Sequence, residues 1–382
     1  MKIATRAQID PFLVMEAFRE AEQMSARGES VLHLSVGQPS ALAPPEVLQF
    51  AAEQIARHPL GYTDASGIAP LRERIALHYA QQYGLTIDPA RIFVTVGSSA
   101  AYMMALMAAF DVGDRMALVA PHYAATPNMM QALGIEPVVM PSTGADHYQP
   151  SCAMLQSLPK PPDGLVIASP SNPTGTMIAP EEMQRLAQYC EAQGIRILSD
   201  EIYHGVTYGD RRAASILEFS DQMIVTNSFS KYYLLPGWRL GWMVVPQAMC
   251  RTVESLLQNF FISAPAIGQY AALKAMDCRA QLDAVVAGYR TNRDVLLAAL
   301  QEMGITQVAP AEGAFYLYAD ISHLSNDSLA FSQKLLAQTG VCTVSGRDFD
   351  KSDGARFLRL SYCGSESTIR EAAARMKAWL KA

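Results

Sequence analysis

From about residue 70 to residue 245 the chain alternates short apolar runs with amphipathic helical stretches, and this alternation restricts it to one broad architecture. The spacing predicts helices over 69–83, 99–110, 126–133 and 180–193, the first opened by Pro70, a good first-turn residue. Between them the runs 91–96, 115–120, 165–169, 195–199, 223–226 and 240–245 read as strands too apolar to keep one face in water. Strands buried on both faces and separated by helices fold into a mostly parallel sheet with helices on both sides, an α/β arrangement. Helices dominate from 247 to 303. From about Gly304 strands and helices alternate again, which reads as a separate, smaller α/β layer. No internal repeat, low-complexity tract or flexible linker interrupts the pattern.

In an open parallel sheet, ligands sit beyond the carboxyl ends of the strands. Several polar segments fall at such ends: Gly97-Ser98-Ser99-Ala100, Pro121-His122-Tyr123, the turn Ser171-Asn172-Pro173-Thr174-Gly175, Asp200-Glu201-Ile202-Tyr203, and Ser228-Phe229-Ser230-Lys231. The last constrains the chemistry most. Lys231 lies among hydroxyls in an apolar setting, and Arg239 follows it in Gly237-Trp238-Arg239-Leu240-Gly241. Burial disfavours an ammonium, and a neutral amine can form a Schiff base with an aldehyde. Pyridoxal phosphate is an aldehyde that carries a phosphate, and Ser228, Ser230 and Arg239 could hold that phosphate through charge-assisted bonds.

The other segments suit the same cofactor. Ser98, Ser99 and Ala100 stand where a strand passes into a helix, and the free N–H groups of a helix start favour a phosphate; a serine N-cap alone explains the same residues. Asp200 ends an apolar strand. It could pair with the pyridine nitrogen and keep the ring a protonated electron sink, or it could simply cap a helix. Tyr203 reaches the ring's phenolic oxygen if a helical turn starts at the aspartate. Asn172 could donate to the same oxygen, although Asn-Pro-Thr-Gly is also an ordinary tight turn. Tyr123 could stack on the ring or serve only as a packing aromatic. Near the C-terminus, residues 356–361 alternate as a strand, with Phe357, Arg359 and Ser361 on one side. Arg359 could fork onto a substrate carboxylate, while an exposed strand arginine is the plainer expectation.

Composition excludes other classes. The formal net charge is −6 with no long basic run, so neither nucleic acid nor an anionic membrane is an expected partner. The apolar run 100–110 is too short to span a bilayer, and the first ten residues lack the apolar core of a signal peptide. Six cysteines are scattered without a CxxC pair, and the histidines form no ligand cluster. No metal site and no disulfide framework are expected, and reduced thiols in a cytoplasm are the plain reading.

Taken together these segments resemble, in order and over nearly the whole chain, the motifs of the class I/II aminotransferases, the fold type I pyridoxal-phosphate enzymes. Ser171-Asn172-Pro173-Thr174-Gly175, Asp200-Glu201-Ile202-Tyr203, Ser228-Phe229-Ser230-Lys231, Arg239 and Arg359-Leu360-Ser361 carry the likeness. Leu34-Ser35-Val36-Gly37-Gln38-Pro39 is similar to the family's N-terminal glycine loop, which implies that Gly37 contacts the substrate carboxylate. Gly61-Tyr62-Thr63-Asp64 is similar to the segment whose tyrosine reaches the partner subunit's cofactor phosphate. The resemblance implies a homodimer with shared active sites, a large cofactor-binding domain over 47–285, and a small α/β domain from both termini, 1–46 and 286–382. Two departures concern substrate choice: Ser40-Ala41 follow the glycine loop where the family often has an aspartate and an aromatic, and no segment matches the second arginine some members use for a dicarboxylate. Phe12 and the stretch 259–263 could line the side-chain pocket or belong to the core.

The implied activity is transfer of an amino group from an α-amino acid to a 2-oxo acid, with 2-oxoglutarate expected on family grounds. It would run by a ping-pong scheme through a Schiff base on Lys231. A β-elimination lyase or a decarboxylase on the same scaffold would need the same cofactor contacts. A regulator that merely binds the cofactor would carry a DNA-binding domain ahead of the glycine loop, which here begins within the first forty residues.

Overall fold

The computed structural model describes residues 1–381. A two-residue strand, β1 (Leu32–His33), precedes the main series: β2 (Ile92–Thr95), β3 (Arg115–Ala120), β4 (Glu136–Pro141), β5 (Gly164–Ala168), β6 (Arg196–Asp200), β7 (Ile224–Ser228) and β8 (Gly241–Val244). These seven form one sheet in the order β2-β8-β7-β6-β5-β3-β4. The pairings β3·β4, β3·β5, β5·β6 and β6·β7 are parallel, whereas β8 runs antiparallel to both β2 and β7. Every strand except β8 therefore ends on the same edge. Because β8 starts on that edge, Arg239, just ahead of it, is delivered there as well.

β2, β7 and β8 are buried at every position, which is why they read as continuous apolar runs. One core fills each side of the sheet: Leu71, Ile75, Leu186 and Trp242 on one, Phe93, Leu106, Leu118 and Met243 on the other. Each fully buried side chain of this kind contributes roughly 1.5–3 kcal/mol. The helices over Ala69–Tyr83 and Pro180–Gln193 match the sequence reading, and the one expected over 99–110 begins two residues earlier, at Gly97. β6 and β7 extend beyond the expected 195–199 and 223–226, so Asp200 and Ser228 are the last residues of their strands. β4 escaped the sequence reading. It is a half-exposed edge strand with prolines at 137 and 141, residues tolerated at a sheet edge but read as breakers in a sequence.

The remaining strands are β9 (Tyr316–Asp320), β10 (Val341–Cys342), β11 (Val344–Ser345) and β12 (Phe357–Ser361). β11, β12 and β9 make an antiparallel sheet, and β1 pairs in parallel with β10, tying residues near the N-terminus to the C-terminal part. The helix Arg279–Glu302 presents Val286, Tyr289, Leu296 and Leu300 at helical spacing to this second core. Its buried Asn292 donates to the carbonyls of Tyr362 (3.0 Å) and Gly364 (2.8 Å), anchoring the chain just after β12.

Candidate active site

The common edge of the large sheet opens on a cavity of about 290 Å³ lined by Ser98, Ser99, Tyr123, Asn172, Asp200, Tyr203, Ser230, Lys231, Arg239, Gly37 and Arg359. Segments from opposite ends of the chain thus meet in one place. A larger cavity, about 580 Å³, is lined by Arg74, His78, Tyr83, His204 and Arg279 among others. It contains none of Lys231, Asp200, Arg239 or Arg359, so size does not identify the site with the chemistry.

Lys231 opens on the cavity from the turn after β7, and its Nζ donates to the Gly37 carbonyl at 2.6 Å. Burial lowers its pKa from the usual 10.5 to about 8; Arg359 and Arg239 push the same way, and Asp200 opposes them. The amine is therefore far closer to its neutral, nucleophilic form than a surface lysine.

On one side of Lys231 is a cradle for an anion. The helix Gly97–Ala109 starts there, and Gly97 has φ +75°, a left-handed conformation that suits glycine. A Cβ at Gly97 would lie 2.5 Å from Arg239 Nη2, so the missing side chain is what lets the guanidinium cross the helix start. Ser98, Ser99 and Ser230 face the same space. Ser228 lies behind Ser230: its hydroxyl is 2.9 Å from Ser230 Oγ and 3.2 Å from the Leu240 carbonyl, and it does not line the cavity. Nor does Ala100, which is buried one turn into the helix.

On the other side Asp200 stands at the end of β6 and accepts from the Ile202 N–H at 3.2 Å. Burial raises its pKa to about 6, against the Ile202 bond and the Lys231 charge. A cationic group facing it would relieve that cost. Tyr203 arrives on a hydrogen-bonded turn, with His204 N–H to the Glu201 carbonyl (2.9 Å) and Val206 N–H to the Tyr203 carbonyl (2.9 Å), not on the helical turn expected from sequence. Its hydroxyl is 2.8 Å from that of Tyr316. Tyr123 lines the cavity and meets Phe12 edge-on at 5.8 Å.

Arg359 corrects the plainer expectation of an exposed strand arginine: it is only 2 % exposed. Its guanidinium lies between the rings of Tyr316 (4.3 Å) and Phe349 (4.6 Å). Nη1 donates to Asn172 Oδ1 at 2.8 Å and Nη2 to the Ser35 carbonyl, while Nε is buried without a partner. With its oxygen engaged by Arg359, Asn172 keeps its amide N–H groups for another acceptor.

Sequence reasoning missed Tyr316 and Tyr102. Tyr316 bonds Tyr203, and a Cβ on Gly37 would fall 1.6 Å from its Oη. Tyr102 lines the cavity with a buried hydroxyl that has no partner. The glycine in the 34–39 loop hints at a close approach but not at what approaches. Tyr62 lies outside this cavity and is 84 % exposed. The stretch 259–263 is also elsewhere: Ser263 Oγ accepts from the Thr63 N–H at 3.3 Å, and Phe260 and Ile262 are exposed beside the Tyr62 loop.

The cradle, the buried carboxylate and the lysine between them fit pyridoxal phosphate: a dianion at the helix start, a ring nitrogen at Asp200 and a carbonyl carbon at Lys231. Among the described residues no group of three or more His, Cys, Asp or Glu is placed to hold a metal.

The family model for aminotransferase class I and II matches residues 29–376. A valine–pyruvate aminotransferase of Mycobacterium tuberculosis is 42% identical over 99% of this chain and 98% of its own length. An aspartate aminotransferase of Geobacillus stearothermophilus is 28% identical over the full length of both chains. A crystal structure of an aminotransferase from Mycobacterium tuberculosis superposes with a TM-score of 0.98 at 42% identity, covering 100% of this chain and 99% of the other. Aspartate aminotransferase from Thermus thermophilus with maleate superposes at 0.91 and 26% identity, covering 99% of each.

Proposed function

The chain belongs to the class I and II aminotransferases, enzymes that depend on pyridoxal phosphate, and we propose that it transfers the amino group of an apolar α-amino acid to a small 2-oxo acid by a ping-pong mechanism. The observation that carries the substrate class is the cavity lining. Among the described residues, its guanidiniums are Arg239 and Arg359, and apart from the polar groups already described and Gln38 the wall carries Phe12, Val14, Met15, Val36, Met129 and Ile202. Arg239 is committed to the anion cradle and Arg359 to the α-carboxylate. A second substrate carboxylate would enter this apolar part of the wall without a cationic partner. This favours pyruvate over the 2-oxoglutarate expected from sequence, and the valine–pyruvate name of one relative supports it.

In this reading Arg239, Ser230 and the N–H groups of Ser98 and Ser99 would hold the phosphate, with Ser228 orienting the Ser230 hydroxyl from behind. Asp200 would pair with the ring nitrogen, Tyr203 and Asn172 would donate to the phenolic oxygen, and Tyr123 would cover the ring. Bound there, pyridoxal phosphate supplies an electrophilic carbon and a ring that accepts the electron pair released at the substrate Cα. Arg359 fixes the substrate carboxylate, and Gly37 lets it approach beneath Tyr316. The Lys231 amine would anchor the cofactor between turnovers and, once freed, would serve as the base that takes the proton from the substrate Cα and the acid that gives it back.

We also read residues 47–285 as the cofactor-binding unit and 1–46 with 286–382 as the smaller one, the division falling inside the helix Arg279–Glu302. Tyr62 does not line its own chain's site and is exposed, as are Phe260 and Ile262. That suits a homodimer in which Tyr62 completes the partner's phosphate cradle. Among the described residues no helix is long and apolar enough to cross a membrane.

Initial rates test the reaction scheme and the substrate class. Valine with pyruvate should give parallel double-reciprocal lines and exceed valine with 2-oxoglutarate in kcat/KM. Intersecting lines would remove the ping-pong scheme, and a preference for dicarboxylates would remove the apolar-pocket reading. Release of ammonia without any oxo acid would instead favour a lyase.

A further inference from the structure

β5 and β6 are hydrogen-bonded neighbours up to the pair Ala168 and Asp200, and there the ladder stops. Beyond it the chain diverges into two loops, one carrying Asn172 and the other Tyr203. The reaction needs Asn172, Asp200 and Tyr203 in one fixed arrangement, yet the sheet no longer holds their backbones together. A buried side chain bridges the gap. His204, 7 % exposed, places Nε2 2.9 Å from the Ser169 carbonyl, three residues ahead of Asn172.

A carbonyl can only accept, so Nε2 must carry the proton. Nδ1 is then an acceptor, and Tyr83 Oη, 2.7 Å away on the helix Ala69–Tyr83, must donate to it. The third neighbour is Glu201, adjacent to Asp200, with Oε2 3.5 Å from Nδ1 and no hydrogen-bond partner. Its Oε1 is held by Ser215 Oγ (2.8 Å) and the Ile216 N–H (3.0 Å), so this carboxyl is fixed in place. Burial lowers the His204 pKa to about 3 and raises that of Glu201 to about 8, so both groups are pushed towards their neutral forms.

We propose that His204 is a positioning residue for the transamination: its Nε2–H, fixed in that tautomer by Tyr83, clamps the Asn172 loop to the Asp200–Tyr203 turn and so sets how the cofactor ring is gripped. His204 does not line the reacting cavity and touches neither cofactor nor substrate; it acts through Asn172 and Asp200. The inference rests on the assignment of those two residues to the ring.

Two amides separate the clamp from simple packing. Glutamine places its nitrogen near Nε2 and can restore the bond to Ser169, whereas asparagine places its polar atoms near Nδ1 and cannot. A misplacement of about 1 Å can cost on the order of 100-fold in rate, so H204N should lose about 10- to 100-fold in kcat. It should also release cofactor more readily and weaken the visible circular-dichroism band of the bound cofactor, which reports how the ring is held. H204Q should recover most of that loss in all three readouts, although it too forfeits the Tyr83 contact. Equal impairment of both variants, or an unchanged dichroism band in H204N, overturns the clamp. A measurement on the wild-type protein needs no variant to fold: ring ¹⁵N resonances of His204 should show Nε2 protonated and Nδ1 bare, and the opposite tautomer overturns the proposal. Asn172→Ala and Asp200→Ala run alongside. If these keep the dichroism band and cofactor affinity, the ring assignment itself fails; if they lose both while H204N does not, only the clamp fails.

Discussion

Replacing Arg359 by lysine keeps a cation in the same buried place but removes the planar fork. In the free enzyme the guanidinium already donates to Asn172 and Ser35 and is flanked by Tyr316 and Phe349. Those contacts exist without substrate, so their loss costs stability more than affinity. What affinity loses is the second prong on the carboxylate, because one ammonium cannot serve Asn172, Ser35 and both carboxylate oxygens. A hydrogen bond to a charged group is worth about 1.5–3 kcal/mol. At about 1.4 kcal/mol per factor of ten, R359K should weaken substrate binding roughly 10- to 150-fold. The carboxylate is common to all substrates, so the loss should be uniform. The assay is the first half-reaction followed by cofactor absorbance, titrated with alanine, valine, leucine and glutamate. A loss confined to glutamate would place Arg359 at a side-chain pocket and refute the reasoning.

Lys231→Ala should abolish turnover while cofactor is still retained through the phosphate cradle; transamination at the wild-type rate would remove the lysine from its role. Asp200→Ala should keep the fold but slow exchange of the substrate Cα proton with solvent, and exchange at the wild-type rate would rule out its pairing with the ring nitrogen. Burial of the Lys231 charge gives a stability test in the apoenzyme. Below about pH 8 both folded and unfolded chains hold the proton, and the folded state bears the full cost; from 8 to 10.5 the unfolded chain binds more protons, so stability rises with pH. Lys231→Met apoenzyme should thus be more stable than wild-type apoenzyme at pH 7, with the gap narrowing towards pH 10.5; a gap independent of pH contradicts this. If Tyr62 acts across a dimer, mixing Tyr62→Phe and Lys231→Ala subunits should regenerate one intact site per heterodimer, about half the wild-type activity for independent sites, and no recovery would sink the shared site.

How much of this was legible in the sequence depended on where each residue acts. Ser98, Asn172, Asp200 and Lys231 stand at the junction of an apolar strand and a polar loop, so the rule that locates the strand end also locates the chemistry. Arg239 was legible only through its place shortly after Lys231; that β8 is antiparallel and so begins on the edge where its neighbours end was not. Contacts between distant parts of the chain were not legible. Tyr203 meets Tyr316, His204 meets Tyr83, and Gly37 meets Lys231 and Tyr316 only once the chain has folded. Alternation along 356–361 put Arg359 on the correct strand but left its exposure open, because a lone strand of a small sheet reads alike whether or not an N-terminal loop covers it. The prolines of β4 hid a strand whose edge position made them harmless. Tyr62 was singled out only through the family's motif, and in the single chain it is exposed and outside the cavity.

The central claim is that this site moves an amino group between carbon skeletons by way of Lys231. The most direct measurement supplies ¹⁵N-valine and unlabelled pyruvate to the holoenzyme and follows the label by mass spectrometry. The account predicts ¹⁵N in alanine, with unlabelled 2-oxo acid formed from valine in equal amount, and neither in Lys231→Ala. Label released as free ammonia, or alanine labelled equally well by the Lys231→Ala protein, would contradict it.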